Sequence, residues 1–278
     1  MKKKIIIFGS RGNLGKYITP YLKKRNLVFS PSSSDCNLKK LLSIDSFFKK
    51  IPNEKYIIIY LATKVSKNKN NLKNYNSNIL MVKNLLKILK NYRFEKFIYF
   101  SSVDVYCKYI NKKILFESSA IKSNNLYSKS KITDESFLKN KIIKNKLLIF
   151  RIPGVYGLEL NSFINNLKDS FIDNRPVKIY NKGENFRDFL YIIDIAKIIS
   201  IFIKSDYSGT YNISTGKSIS IMEIVKIFQK KYNSKSKIIY PTKTNNNSNY
   251  NLFISNAKIL KKLINFSFTT IQSGINKI

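Results

Sequence analysis

The sequence predicts an α/β protein built on a doubly wound parallel sheet, followed by a smaller C-terminal α/β lobe. Three observations predict this fold. Short apolar runs alternate with stretches of helical period through the first half of the chain, the first run ends in a glycine-rich turn, and the alternation loses its regularity after Gly157. Strands that alternate with helices are typical of parallel sheets covered by helices on both faces.

The first strand is predicted from the run Lys4 to Phe8, which is apolar on both faces as a buried parallel strand requires. A helix from about Asn13 to Lys24 follows it. Further strands are predicted at 27–29, 56–61, 96–100 and 147–152, and further helices at 41–50, 79–91 and 127–144. These elements make up a first domain, residues 1–157, which the glycine-rich turn assigns to cofactor binding.

Residues 158–278 are predicted to form the smaller, less regular lobe. Its helices, short strands and loops are expected at 163–171, 177–180, 192–204, 209–213, 221–231, 237–240 and 256–263. Two stretches rich in Asn, Lys and Ser, 66–78 and 242–251, are interpreted as solvated linkers, with substrate-facing lids as the alternative.

The composition excludes several classes of protein. The chain has 278 residues, 44% of them hydrophobic, so it can bury a sizeable core. No apolar run approaches the roughly 20 residues of a membrane span, and the stretch after the basic start is too short for a signal peptide, so a cytoplasmic protein is expected. The chain has no histidine and its two cysteines lack a C-x-x-C spacing, so no metal site is expected.

The formal net charge of +35 suggests a polyanionic partner, but the kind of basic residue argues against nucleic acid. Of the 51 basic residues, 45 are lysine and six are arginine, and the lysines are scattered without a dense tract. A nucleic-acid reader favours arginine for bidentate contacts. We therefore interpret the excess of lysine as compositional bias, although lysines near a cleft would still attract an anionic substrate.

A G-x-x-G-x-x-G turn follows the first predicted strand and leads into the first helix. Glycines at this spacing allow a tight turn, let the backbone approach a pyrophosphate and let the helix pack closely on the strand, while N–H groups at the helix start face the phosphates. A Rossmann-like dinucleotide site is therefore predicted. Its binding residues are Gly9, Arg11, Gly12, Asn13, Leu14 and Gly15.

The end of the second strand bears on which dinucleotide binds. NAD sites usually have a carboxylate there for the ribose hydroxyls, but this strand ends in Phe29-Ser-Pro-Ser-Ser-Ser34. Arg11 could neutralise the 2′-phosphate of NADP, so NADP is favoured over NAD. Asp35 lies where an adenine edge could be held, or else it begins the helix that follows.

A serine, a tyrosine and a lysine form the predicted catalytic trio. The spacing Y-x-x-x-K occurs four times in this chain, so it is uninformative alone. Tyr127 and Lys131 stand out because they open a helix, where this spacing puts both side chains on one face, and because Ser102 ends an earlier strand. Lys131 would favour the Tyr127 phenolate, Tyr127 would exchange a substrate proton, and Ser102 would hold the substrate oxygen near the nicotinamide. The alternative is a solvated helix face.

Together these residues resemble the extended short-chain dehydrogenases/reductases, in particular the NAD-dependent epimerase/dehydratase group that acts on nucleotide sugars. The resemblance covers almost the whole chain. Further segments that carry it are Tyr60-Leu-Ala-Thr63, Phe100-Ser-Ser-Val-Asp-Val-Tyr106, Arg151-Ile-Pro-Gly-Val-Tyr-Gly157, Arg187-Asp-Phe-Leu-Tyr-Ile-Ile-Asp194 and Gly209-Thr-Tyr-Asn-Ile213.

The resemblance implies a homodimeric enzyme acting on a nucleotide-activated sugar, with the trio as its catalytic residues. It adds Leu61, Ala62 and Asn78 to the cofactor site, to which Tyr127 and Lys131 also belong, and it makes residues 158–278 the substrate-binding lobe. It also implies that Arg187 binds the diphosphate of the substrate, for which a guanidinium is well suited. The alternative for Arg187 is a salt bridge with Asp188 or Asp194.

The chain departs from the family's pattern at several positions. Gly154 stands where many members have a nucleotide-contacting asparagine, and Cys107 stands where glycine is usual. Sugar dehydratases have an Asp-Glu pair in place of Val103-Asp104, and GDP-fucose synthases epimerise with a histidine that this chain lacks. A dehydration therefore lacks one of its expected acids, and the expected reaction is C4 epimerisation or keto-reduction, with a simple carbonyl reductase also open. The alternative from another class is a catalytically silent NAD(P)-binding sensor or an RNA-binding protein.

Overall fold

The computed structural model describes residues 2–66, 68–106, 114–241 and 263–278. The strands are β1 (Lys4–Phe8), β2 (Leu27–Phe29), β3 (Tyr56–Tyr60), β4 (Phe94–Ser102), β5 (Leu147–Ile152), β6 (Gly154–Tyr156), β7 (Val177–Lys178), β8 (Phe186–Arg187), β9 (Phe189–Tyr191), β10 (Gly209–Asn212), β11 (Ile219–Ser220) and β12 (Ile238–Ile239). The α-helices are α1 (Gly15–Lys23), α2 (Leu41–Lys50), α3 (Leu72–Leu89), α4 (Leu126–Lys141), α5 (Phe163–Ile172), α6 (Ile192–Phe202), α7 (Ile221–Tyr232) and α8 (Ile271–Ile275).

Six strands form one sheet in the order β10-β5-β4-β3-β1-β2. β1 pairs in parallel with both β2 and β3, and β3 pairs in parallel with β4. The side chains of β3 are buried on both faces, as its sequence Tyr-Ile-Ile-Ile-Tyr requires. The predicted α/β fold with a doubly wound sheet is thus confirmed. The strand order reverses between β1 and β3, and such a switch point is where open α/β sheets bind ligands.

The chain divides into two compact units that alternate along the sequence. The first unit comprises residues 1–108, 120–151 and 195–211, and the second comprises 109–119, 152–194 and 212–278. The sequence predicts a single boundary, after Gly157. The two divisions differ for two reasons. β10, expected in the small lobe, is an edge strand of the large sheet beside β5. Residues 152–157 belong to the second unit, where β6 pairs with β9.

Each unit has an apolar core of its own. In the first unit, α2 contributes Phe47 and Phe48, which pack against Phe8 of β1, and the Phe48 ring stacks on that of Tyr92 with centroids 4.7 Å apart. In the second unit, α5 and α7 pack together, and a serine with a glutamate three residues on forms a capping box that fixes the start of α7.

The helix α3 differs most from its prediction. It begins at Leu72 instead of Ile79, because the side chain of Asn71 accepts a hydrogen bond from the N–H of Asn74 and caps the helix there. Most of the predicted linker at 66–78 is therefore helical. The second predicted linker, 242–251, lies outside the described residues, as does nearly all of the predicted segment 256–263. Among the residues that the structure describes, no helix is both long and apolar enough to span a membrane.

Candidate active site

The glycine turn lies between the end of β1 and the start of α1, at the switch point of the sheet. Gly9 has a φ of +86°, and a Cβ atom there would lie 2.6 Å from the backbone nitrogen of Ala62. A Cβ atom on Gly15 would lie only 2.2 Å from the Gly9 carbonyl oxygen. Both positions therefore require glycine, one for the turn and its contact with the segment after β3, the other for the packing of α1 on the turn.

The turn has space for a pyrophosphate on its outer side. A Cβ atom on Gly12 would meet only the Gly9 carbonyl oxygen, at 3.2 Å, and Gly12 is exposed together with Arg11 and Asn13. Leu14, the residue before α1, makes no side-chain hydrogen bond that caps the helix. The exposed backbone of this turn at the start of α1 fits the phosphates of a dinucleotide.

Two glycine variants separate packing from phosphate binding. We expect Gly15→Ala to lower both the melting temperature and dinucleotide affinity, because the added methyl group collides with the Gly9 carbonyl group. Gly12→Ala should leave the melting temperature within about 2 °C, since one surface methyl group changes stability by only a few tenths of a kcal/mol, yet weaken binding of the dinucleotide at least tenfold. Thermal unfolding and fluorescence titration measure the two effects. Equal dinucleotide affinity of Gly12→Ala and the parent protein would contradict this assignment.

Asp35 closes the turn after β2 instead of beginning a helix. Its Oδ2 atom accepts hydrogen bonds from the backbone N–H of Ser32 at 2.8 Å and from the Ser32 hydroxyl at 2.6 Å. The side-chain hydrogen bond from Ser32 is the main reason why the pKa of Asp35 is lowered. α2 begins only at Leu41, so the helix-start alternative is wrong. Contact of Asp35 with an adenine stays a prediction.

The segment after β3, which contains Leu61 and Ala62, is held by Asn78 of α3. The buried Asn78 side chain accepts a hydrogen bond from the Lys64 N–H at 2.8 Å and donates one to the Lys64 carbonyl oxygen at 3.1 Å. This pair of bonds fixes the loop that borders the glycine turn. Asn78 therefore positions the backbone of the segment after β3.

Lys131 lies on α4 and is only 4% exposed. Its Nζ atom donates hydrogen bonds to Thr63 Oγ1 at 2.9 Å and to the Phe100 carbonyl oxygen at 2.8 Å. These partners belong to the carboxyl ends of β3 and β4, so the lysine joins both strand ends to α4. Burial lowers the pKa of Lys131, and the carboxylates of Asp134 and Glu135 oppose this shift.

Tyr127 lies in the first turn of α4, one turn before Lys131. Its backbone N–H donates to the Lys69 carbonyl oxygen at 2.9 Å, and the Lys69 ammonium lies 5.6 Å from the centre of its ring. Tyr127 lines a pocket together with the segment after β3 and the start of α3, including Lys64, Asn74 and Asn78. The half-buried tyrosine thus borders open space beside the loop that Asn78 holds.

Ser102 is the last residue of β4 and is buried. Its hydroxyl oxygen accepts a hydrogen bond from the N–H of Asp104 at 3.1 Å, which turns the chain into a short 3₁₀ helix at Val103–Tyr106. The carboxylate of Asp104 forms an ion pair with Lys69. Ser102 therefore lies on the strand whose Phe100 carbonyl group binds Lys131.

Sequence reasoning missed a buried ion pair beside the lysine. Glu135 accepts two hydrogen bonds from Arg151, from Nε at 3.0 Å and from a terminal nitrogen at 2.7 Å, and a third from the Ser101 hydroxyl at 2.6 Å. The other terminal nitrogen of Arg151 donates to the Tyr106 hydroxyl at 2.7 Å. Two features of the sequence indicate this pair. Glu135 follows Lys131 by one helical turn, and Arg151 is a charged residue within an otherwise apolar strand.

Arg187 is the second residue of β8, in the second unit, and pairs with Ile219 of β11 in the antiparallel ladder. The neighbouring Asp188 is buried and accepts hydrogen bonds from the Thr215 hydroxyl at 2.6 Å and the Gly216 N–H at 3.1 Å. Burial raises the pKa of Asp188 to about 7. Binding of a diphosphate by Arg187 stays a prediction.

The departures from the expected pattern have different outcomes in the structure. Gly154 begins β6, and a Cβ atom on it would lie 2.9 Å from the ring of Phe189 in the neighbouring strand β9. The phenylalanine ring thus takes the space that an asparagine side chain would need. Cys107 lies outside the described residues.

The parallel sheet with its glycine turn and the tyrosine-lysine helix are features of extended short-chain dehydrogenases/reductases, and the protein is a member of this class. Residues 5–214 match the NAD dependent epimerase/dehydratase family, to which the chain therefore belongs.

Comparison with known proteins agrees with this classification. The chain is 29% identical over 270 residues to dTDP-D-glucose 4,6-dehydratase of Dictyostelium discoideum; the match covers 81% of this chain and 61% of that protein. The structure is similar to UDP-glucose 4-epimerase of Thermus thermophilus in complex with NAD, with a TM-score of 0.81, 17% identity, and coverage of 99% and 97% of the two chains. It is likewise similar to dTDP-4-dehydrorhamnose reductase of Bacillus anthracis in complex with NADP, with a TM-score of 0.81, 20% identity, and coverage of 99% and 98%.

Proposed function

We propose that the protein is an NAD(P)-dependent enzyme that oxidises or reduces a secondary alcohol of a nucleotide-activated sugar. Tyr127 exchanges the proton of the substrate hydroxyl group, Lys131 favours the phenolate, and Ser102 holds the substrate oxygen. The bound dinucleotide supplies the hydride chemistry. Membership of the epimerase/dehydratase family and the names of its relatives support the substrate class.

The observation that carries this proposal is the position of the Lys131 ammonium group. It is buried at the carboxyl ends of two central strands and is held by Thr63 and Phe100, one helical turn from Tyr127. A phenol normally titrates near pH 10, and a nearby positive charge stabilises its ionised form. A buried ammonium acts more strongly than an exposed one, because water does not screen it.

The proton transfer follows from this arrangement. In the oxidative direction, the Tyr127 phenolate takes the proton of the substrate hydroxyl group while hydride leaves the carbon; in the reductive direction, the phenol returns that proton. Ser102 is on the strand that Lys131 contacts, and its hydroxyl group would bind the reacting oxygen and orient it. A binding module that is catalytically silent has no need for all three of Ser102, Tyr127 and Lys131.

Among the reactions of the family, we propose C4 epimerisation or net keto-reduction. Val103 replaces the first acid of the dehydratase pair, so a dehydration lacks one of its expected groups. Arg187 is proposed to bind the diphosphate of the nucleotide sugar, and a homodimer is proposed by analogy with the family. The first domain would then bind the dinucleotide and the second would bind the sugar nucleotide.

For the cofactor we propose NADP over NAD. Arg11 is exposed in the turn, no carboxylate ends β2, and the Asp35 carboxylate is bound by Ser32. A guanidinium group forms charge-assisted hydrogen bonds with a 2′-phosphate, and these are stronger than a hydrogen bond with a neutral ribose hydroxyl group.

Arg11→Ala tests this preference. We expect this variant to bind NADPH about tenfold more weakly, the loss of one charge-assisted contact, and to bind NADH unchanged. The exposed Arg25, just after α1, provides the control, and Arg25→Ala should change neither affinity. Fluorescence titration measures both. Equal weakening of the two cofactors by Arg11→Ala would show that Arg11 binds the pyrophosphate instead.

The proposed function as a whole is tested by the dinucleotide that the purified protein retains, identified by absorbance and mass after denaturation. Tightly held NAD would indicate that the hydride is recycled on the enzyme and would favour epimerisation. Freely exchanging NADPH would favour net reduction. Absence of any dinucleotide binding, combined with salt-dependent retention of RNA that survives Tyr127→Phe, would overturn the proposal in favour of an RNA-binding protein.

A further inference from the structure

A second buried ionisable group lies on α4, one turn beyond Lys131, and the mechanism above does not use it. Asp134 is 2% exposed and accepts a hydrogen bond at 2.8 Å from the hydroxyl group of Tyr99, which is fully buried on β4. The ammonium group of Lys131 lies 4.9 Å from the centre of the same Tyr99 ring. Tyr99 thus contacts both charged groups, the carboxylate through its hydroxyl group and the ammonium through its ring.

The carboxylate is not saturated by hydrogen bonds. Among the described residues, the second oxygen of Asp134, Oδ1, has no hydrogen-bond partner, and neither has the buried hydroxyl group of Tyr60, whose ring lies 5.9 Å from that of Tyr99. A buried carboxylate is costly unless an opposite charge compensates it. Hydrogen bonding alone therefore does not account for an aspartate at this position.

The charges around Lys131 identify what Asp134 compensates. From α4 itself, the lysine faces Asp134 and Glu135; from β4 it faces Tyr99 and the Phe100 carbonyl group; from the segment after β3 it faces Thr63. Glu135 is already neutralised by its two hydrogen bonds with Arg151. Asp134 is therefore the carboxylate that is left to balance the charge of the Lys131 ammonium group. Both side chains contact Tyr99.

We propose that Asp134 and Tyr99 form a positioning pair that keeps Lys131 in its ammonium form and so sets the pH range over which Tyr127 exchanges protons. This inference rests on the proposed roles of Tyr127 and Lys131.

The direction of each pKa shift agrees with the pair. Burial lowers the pKa of Lys131, and Asp134 is the first of the groups that raise it. Burial raises the pKa of Asp134, while the ammonium group of Lys131 and the hydrogen bond from Tyr99 lower it. Each group therefore favours the ionised form of the other, against the same unfavourable burial.

The test is the pH profile of kcat/KM for Asp134→Asn, a variant of nearly the same shape. Without the carboxylate, Lys131 loses its proton at lower pH. The alkaline limb of the profile should therefore shift to lower pH by about one unit or more, and kcat/KM on that limb should fall about tenfold. The affinity for the dinucleotide should stay unchanged.

Tyr99→Phe provides a second route to the same result. Loss of the phenol hydrogen bond makes the Asp134 carboxylate harder to ionise, so the profile should shift in the same direction by a smaller amount. The double variant should shift no further than Asp134→Asn, because both changes act through one carboxylate. Additive shifts of the two single variants would contradict the pair. Tyr99→Phe also keeps the test available if Asp134→Asn does not fold.

Asp45→Asn is the matched control. Asp45 lies on α2, accepts a hydrogen bond from the Tyr92 hydroxyl group at 3.3 Å and pairs with Lys49 at 2.7 Å. An aspartate, a tyrosine and a lysine thus meet here as well, but at the surface. Solvent screens this surface group, and the kcat/KM profile should therefore match that of the parent protein. A profile of Asp134→Asn that also matches the parent would overturn the proposal.

A measurement without substrate separates this inference from the proposed function. The raised pKa of Asp134 in the folded state means that the carboxyl group stabilises the fold below its unfolded pKa and loses that contribution as the pH rises through the folded pKa. In urea unfolding, the free energy of unfolding of the parent protein should thus decline as the pH rises from 4 to 9. The Asp45→Asn variant should show the same decline, and the Asp134→Asn variant should lack it. If this result appears but the kcat/KM profile does not move, Asp134 titrates in the core without setting the charge of Lys131, and the pair is refuted while the proposed function stands. If neither profile changes, the pair itself is refuted.

Discussion

Replacement of Tyr127 by phenylalanine is expected to reduce turnover by about 10²–10⁴-fold, the contribution of a positioned proton donor and acceptor. The variant removes one hydroxyl group from a half-buried ring at the edge of the pocket and leaves the start of α4 capped by Asn125. Affinity for the dinucleotide should therefore stay within about twofold, since no packing is lost. Steady-state kinetics with a nucleotide sugar and cofactor titration measure the two quantities.

Tyr92→Phe is the control for this experiment. Tyr92 and Lys96 have the same spacing as Tyr127 and Lys131. Tyr92, however, is partly buried and stacks on Phe48 at the edge of the core, and Lys96 donates to the Phe202 carbonyl group at 2.8 Å. Tyr92→Phe should retain normal turnover. Unchanged turnover in Tyr127→Phe would rule out the mechanism.

Replacement of Arg151 by leucine is expected to lower the free energy of unfolding by about 3–5 kcal/mol, the cost of leaving one partner of a buried ion pair uncompensated. Glu135 is 1% exposed and would lose two of its hydrogen bonds, while Tyr106 would lose its partner in Arg151. Urea denaturation measures the change. For comparison, Arg175→Leu breaks an exposed pair with Asp173, and such pairs contribute less than about 1 kcal/mol.

The same ion pair predicts a dependence on pH. Burial raises the pKa of Glu135, but the hydrogen bonds and charge of Arg151 outweigh it, so the pKa is lowered overall. A carboxylate with a lowered folded-state pKa contributes stability above its unfolded pKa, and this contribution is lost as the pH falls through the folded pKa. The stability lost by the parent protein on acidification should thus be smaller in Arg151→Leu. An equal acid dependence of both proteins would show that Glu135 is not the responsible group.

The sequence predicts most elements of the large sheet, because the signals that identify them are local. β1, β2 and α2 have the predicted bounds, since each is an apolar run or a helical period with clear ends. The start of α3 was missed because its first seven residues are mostly Asn, Lys and Ser, which have no apolar period and are held helical by the cap at Asn71.

Long-range pairings were not predictable from local patterns. Nothing in the segment Gly209–Asn212 indicates that its partner is β5. The same limit applies to the site: the glycine turn could be read from its spacing, whereas the contacts of Asp134 with Tyr99 and of Glu135 with Arg151 join an α-helix to strands that are distant in sequence. Charged residues that pair in a core look like surface residues in a sequence.

The position of β10 has a consequence for the synthesis of the protein. A ribosome that has released residues up to β5 has delivered a sheet with an exposed edge, and the strand that covers this edge follows only after β6 to α6. Lys96 of β4 also waits for the carbonyl group of Phe202, 106 residues further along the chain. Contacts of such separation slow folding, and an uncovered strand edge invites aggregation. Nascent chains that stall before residue 212 should therefore depend on chaperones.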